Sequence, residues 1–81
     1  MELKDTIDLM NSEDYKDRFK AEYYQAQIRY DKLYKMLVKY DAGTLNFEPS
    51  CPKEILEDQE YYMKDYLKTL ETRAEIEHIE L

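Results

Sequence analysis

Apolar residues between Arg18 and Tyr40, in the stretch RFKAEYYQAQIRYDKLYKMLVKY, fall at helical intervals. Phe19, Ala26, Tyr30, Leu33, Leu37 and Tyr40 are separated by seven, four, three, four and three residues, and Tyr15 extends the series backwards by four. Such spacing gathers side chains on one face of a helix and does not fit strand alternation. Neither Gly nor Pro interrupts the segment, which predicts a single helix of roughly 40 Å at about 1.5 Å per residue. Helices of this kind draw most of their stability from burying the apolar face. The rest of the chain, or another copy of it, must cover this stripe.

The flanking patterns predict two further helices. Leu3, Ile7 and Met10 recur at four and three residues, giving a short amphipathic helix at about 3–10. Asn11 or Ser12 can cap the next helix, and Glu13 and Asp14 bring negative charge to its first turn, so the long helix is expected at about 13–41. Gly43 supplies the left-handed residue common just past a helix end. Residues 42–51, AGTLNFEPSC, hold the only Gly and one of the two Pro and form the connection. Leu45 and Phe47 are expected to fold back onto the helix ends.

Pro52, favoured at a first helical position, opens a second long helix at about 52–78. In it Leu56, Gln59, Met63, Tyr66 and Leu70 recur at three, four, three and four residues, with Ile55, Tyr62 and Leu67 widening the stripe. The expected fold is all-α and a single domain: a short N-terminal helix across one end of a long antiparallel αα-hairpin. Ile76, Ile79 and Leu81 find no partner inside that hairpin and are assigned to a neighbouring subunit. Tyr24, Ile28 and Val38 also lie well round from the main stripe. One partner helix cannot cover both faces, and an 81-residue chain buries only a modest share of its surface alone. A homo-oligomer is expected.

Charge changes this picture by its distribution. The formal net charge is -7, which opposes non-specific binding to DNA or anionic membrane. Residues 15–40, however, carry seven basic residues against three acids, whereas residues 52–81 carry four against nine. The first long helix is a cationic strip in an acidic protein. One Cys and one His provide neither an internal disulfide nor a structural zinc site. No secretory signal or spanning segment is evident, so a cytoplasmic location is expected, without membrane or DNA partners.

Nine tyrosines and no tryptophan suit either core packing or stacking on a base. Tyr30, Tyr40 and Tyr66 belong to the apolar stripes and are read as core. Asp14 with Arg18, Asp31 with Lys35 and Glu60 with Lys64 have the favourable i,i+4 order for helix ion pairs. Arg29, Lys32 and Lys39 lack such a partner, and with Lys35 they occupy one side of the helix. They face either acidic side chains or a phosphate-bearing ligand. His78 and Cys51 have no evident catalytic partners, and no P-loop, dinucleotide fingerprint, HExxH or EF-hand pattern occurs. No enzyme and no cofactor is expected.

Arg18, Glu22, Tyr23, Arg29, Lys32, Leu33 and Leu37 in the first helix, with Leu56, Gln59, Met63, Tyr66, Leu70 and Arg73 in the second, resemble a family of small phage and prophage helical-hairpin proteins. The likeness covers about residues 12–77. Better-understood relatives are immune-evasion "sponges" that sequester the cyclic nucleotide signals of bacterial CBASS defence, and a related hairpin captures the cyclic ADP-ribose signals of Thoeris. The resemblance implies an oligomer that binds a cyclic nucleotide without turnover, between protomers, in the cytoplasm of an infected host. It assigns no ligand-contacting residue. Chemistry alone nominates Arg18, Arg29, Lys32 and Arg73 for phosphates, and Tyr15 and Tyr24 for stacking. The competing readings are a helical interaction module that inhibits a host protein and, less favoured by charge, a DNA-binding regulator.

Overall fold

The computed structural model describes residues 1–81. It is all-helical: a 3-10 turn at Leu3–Thr6 runs into α1 (Ile7–Met10), followed by α2 (Tyr15–Ala42) and α3 (Lys53–Glu77). The two long helices pack as a hairpin within an envelope of 43 × 25 × 17 Å. No helix is long and apolar enough to cross a membrane.

Asp14 starts α2: its side chain accepts from the Lys16 backbone N–H at 2.9 Å. Ser12 is pulled away by donating to Asp17 and accepting from the Asp14 N–H. The first helical residue is therefore Tyr15, two later than the capping residues suggest from sequence. Gly43 ends the helix at φ 75°, and Thr44 N–H closes back on the Lys39 carbonyl at 2.9 Å, the bond pattern of a left-handed helix stop.

The core is a cluster of Phe19, Tyr23, Leu67, Leu70, Ala74 and Ile79, with Tyr24, Ala26 and Tyr30 packed against it. Leu37 adds a buried position nearer the connection. Two sequence expectations need correcting. On α3 the inward line is Leu56, Met63, Leu67, Leu70 and Ala74, whereas Gln59 and Tyr66, assigned to the packing stripe, are exposed with Ile55 and Tyr62. Ile79 is buried inside its own hairpin and not left for a neighbour. His78 makes this possible: it adopts the left-handed conformation (φ 57°, ψ 43°), and Ile79 N–H then bonds the Ala74 carbonyl at 2.9 Å. That turn points Ile79 back into the core; Ile76 and Leu81 stay exposed.

Four phenol–glutamate bonds cross the hairpin. Tyr15 donates to Glu77 at 2.9 Å, Tyr23 to Glu71 at 2.5 Å, Tyr30 to Glu60 at 3.1 Å, and Tyr66 to Glu22. Lys53 and Asp41 add an ion pair at 2.5 Å where the helices meet the connection. As one helix ascends the other descends, so these pairs fix one antiparallel register. Much of the tyrosine content thus serves helix pairing. The i,i+4 pairs expected at Asp14–Arg18, Asp31–Lys35 and Glu60–Lys64 do not form; the ion pairs present are Lys4–Glu2, Lys53–Asp41 and Arg73–Glu77. Asp14 accepts from the Lys16 N–H in capping and Glu60 accepts from the Tyr30 hydroxyl, so at these two positions the local basic partner loses to another donor.

Candidate functional site

Ala21, Gln25, Ile28, Lys32, Lys35 and Lys39 lie on one line of α2, at alternating steps of four and three, on the face away from α3. The N-terminal segment covers the first half of that line. Thr6, 1% exposed, donates to the Leu3 carbonyl at 2.7 Å and accepts from the Gln25 amide at 2.9 Å, while the same amide approaches the Met10 sulfur. Beyond this cover the line is all lysine.

Lys32, Lys35 and Lys39 line a groove of about 350 Å3 with Met36, Thr44, Leu45, Asn46 and Phe47. The connection closes its far end because the Gly43 turn sends Leu45 and Phe47 back along the helix. No carboxylate lines the groove, and none of the three ammonium groups is in an ion pair. Three like charges within roughly 10 Å of helix axis repel one another and gain by an anion between them. Half-exposed Phe47 and the thioether of Met36 supply an apolar wall against which a flat ring can lie. The volume is at the small end of ligand sites.

The largest concavity, about 710 Å3, is beside the C-terminal tail and is lined by Glu71, Glu75 and Glu80 together with Tyr23, His78 and Ile79. Its carboxylates repel an anion, so size alone misleads here. A third hollow of about 540 Å3 on α3 is bounded by Ile55, Tyr62, Met63 and Tyr66.

The six residues nominated from sequence are dispersed. Lys32 lines the lysine groove; Arg29 is exposed on its flank but does not line it. Arg18 reaches back to donate to the Ser12 carbonyl at 2.9 Å and holds the link before α2. Tyr24 is half-buried and meets Tyr23 edge-on, with ring centroids 5.8 Å apart. Tyr15 and Arg73 are brought together at the opposite end of the hairpin. Arg73 donates to the Tyr15 hydroxyl at 2.7 Å and to Glu77 at 3.2 Å, and its guanidinium lies 4.9 Å from the Phe19 ring centroid. Donation to Glu77 holds the Tyr15 phenol above its ordinary pKa. This cluster is internally neutralised and clamps the start of α2 to the end of α3. Lys35, Lys39 and Phe47 were absent from the nominated set. The i,i+4 spacing from Asp31 masks Lys35 in the sequence, and only the fold-back of the connection brings Phe47 to the groove.

Cys51 and His78 stand at opposite ends of α3, separated by roughly 37 Å of helix, so they cannot act together. No cluster of His, Cys, Asp and Glu side chains suits a metal ion.

These features define an all-helical hairpin with a cationic groove suited to an anion. A family model described as Sequestin matches residues 13–76, and the chain belongs to that family, consistent with a sequestering, sponge-type family of phage proteins. The match covers both long helices and the connection but not the N-terminal segment. No curated protein and no solved structure matches the chain.

Proposed function

We propose that this protein is a phage immune-evasion sponge that sequesters a cyclic nucleotide second messenger without turnover. The observation that carries the reading is the groove of Lys32, Lys35 and Lys39, free of carboxylates in a protein of net charge -7. Phosphodiesters of a cyclic oligonucleotide or a cyclic ADP-ribose-type signal meet the ammonium groups, and a base meets Phe47 and Met36. Arg29, on the flank, lies within reach of a ligand larger than the groove. Family membership supports sequestration, and the resemblance to anti-CBASS and anti-Thoeris sponges supports the ligand class. Assembly into a homo-oligomer in the cytoplasm of the infected host belongs to the same reading.

Thermal unfolding against a panel of cyclic di- and trinucleotides and cyclic ADP-ribose variants tests it. Ligand at about a hundred times its dissociation constant adds about 2.7 kcal/mol, enough to raise the midpoint of so small a chain by roughly 10 °C or more. Recovery of the bound nucleotide intact after denaturation is the expected sign of binding without turnover. A flat panel on folded protein sinks the nucleotide reading and moves the function to a protein partner.

A further inference from the structure

The lysine groove holds a second kind of chemistry besides its charge. Its polar side chains are Lys32, Lys35, Lys39, Thr44 and Asn46. The three ammonium groups can only donate hydrogen bonds. Thr44 is already engaged, its hydroxyl donating to the Lys39 carbonyl at 3.4 Å. Asn46 differs from all of these. It is exposed, takes part in no hydrogen bond of the fold, and alone among the lining side chains presents a donor nitrogen beside an acceptor oxygen.

The next residue in the chain is Phe47, which lines the same groove and is 55% exposed. A base lying on that ring turns its flat face to the phenyl and its edge outward, and Asn46 stands immediately beside the ring in the chain. At about 350 Å3 the groove is near the lower limit of ligand sites, with room for one nucleotide unit and not for a whole cyclic oligonucleotide.

A carboxamide reads the two purines unequally. Adenine carries an amino donor at N6 beside an acceptor at N7, and an Asn side chain satisfies both at once. Guanine offers acceptors at both O6 and N7, which leaves the Asn carbonyl oxygen facing another acceptor. Lysine suits that guanine edge, but an ammonium so used is withdrawn from a phosphate.

We infer that Asn46 sets the base specificity of the groove, and that the nucleotide unit seated there carries adenine. The inference rests on the sponge reading and adds to it which base is held and by which side chain. The lysines supply the attraction; Asn46 supplies the choice.

Titration calorimetry with cyclic di-AMP and cyclic di-GMP, which differ only in the base, tests it. The proteins are wild type, Asn46→Leu, and the Lys32→Gln, Lys35→Gln, Lys39→Gln triple variant. Wild type is expected to prefer cyclic di-AMP by about tenfold or more, the discrimination of one bidentate pair. Asn46→Leu keeps the side chain's size and removes no bond of the fold, so its thermal unfolding should match wild type while the two affinities converge. Equal affinities in wild type, a guanine preference, or an adenine preference that survives Asn46→Leu overturns the role of Asn46. If the triple variant then loses both ligands, the groove stands without it. Binding of neither ligand to wild type also overturns the inference, and a flat thermal panel besides overturns the sponge reading itself.

Discussion

Tyr23 gives the structure a specific alkaline weakness. Its side chain is 6% exposed between the two long helices, with the hydroxyl donating to Glu71 at 2.5 Å. Burial first, and then the bond to a carboxylate, push the phenol up to about 12 from 10.0. Because the fold favours the protonated phenol, this stabilisation is fully present below pH 10, the unfolded-state value, and is lost as pH rises through about 12. A shift of that size is worth about 2–3 kcal/mol, a large part of the 5–15 kcal/mol typical of a domain.

Tyr23→Phe keeps the ring in the core, frees Glu71 to solvent and removes the ionisation. At neutral pH the variant should be about 1 kcal/mol less stable, for one lost hydrogen bond. As pH climbs the wild type loses more than that, and the order reverses. Urea unfolding of both proteins at several pH values should give stability curves that cross between pH 10 and 12. Tyr15 and Tyr30, also raised, are common to both proteins and cancel in the difference. Parallel curves across that window would refute the account of Tyr23.

Other consequences are equally direct. Leu70, 1% exposed in the centre of the core, should cost about 2–5 kcal/mol when changed to Ala, read as a lowered denaturation midpoint. Gly43→Ala should cost about 1 kcal/mol, since φ is 75° and nothing stands within 4 Å of an added Cβ, leaving backbone strain as the sole penalty. His78→Gly should act oppositely, gaining up to about 1 kcal/mol by relieving a left-handed non-glycine residue. Thr6→Val keeps the shape but removes the hydroxyl that links Leu3 and Gln25. Hydrogen exchange should then rise in residues 3–10 while the hairpin amides keep their protection.

The hairpin is written plainly in the chain. The stripe from Phe19 to Tyr40 admits only a helix, and Gly43 marks its end because a left-handed stop favours glycine. On α3 two lines of four-three spacing run one residue apart, Leu56–Met63–Leu67–Leu70–Ala74 and Ile55–Tyr62–Tyr66–Ile76. Both hold apolar residues, and a periodicity that scores each equally cannot say which faces α2. The turn at His78 is invisible for a related reason: histidine gives no signal for a left-handed stop, so the burial of Ile79 depends on the core that draws it in.

The candidate site divides similarly. Charge spacing alone exposes the lysine strip of α2. Its closure by Leu45 and Phe47 follows from the direction in which Gly43 releases the chain. The roles of Tyr15 and Arg73 depend on partners across the hairpin, Glu77 and Phe19 among them, that only the antiparallel register brings near. Tyr15, nominated for stacking from the sequence, is in fact bonded to Glu77 across the hairpin, as Tyr23, Tyr30 and Tyr66 are to other glutamates.

The most direct test of the central claim is the affinity of the best cyclic nucleotide from the thermal panel for wild-type protein and for a Lys32→Gln, Lys35→Gln, Lys39→Gln triple variant, by titration calorimetry. These positions are exposed and unpaired, so the variant should fold normally. Loss of three charge-assisted phosphate contacts is expected to weaken binding by a hundredfold or more, at about 1–3 kcal/mol each. Unchanged affinity in a folded triple variant would place the ligand elsewhere and contradict the groove assignment.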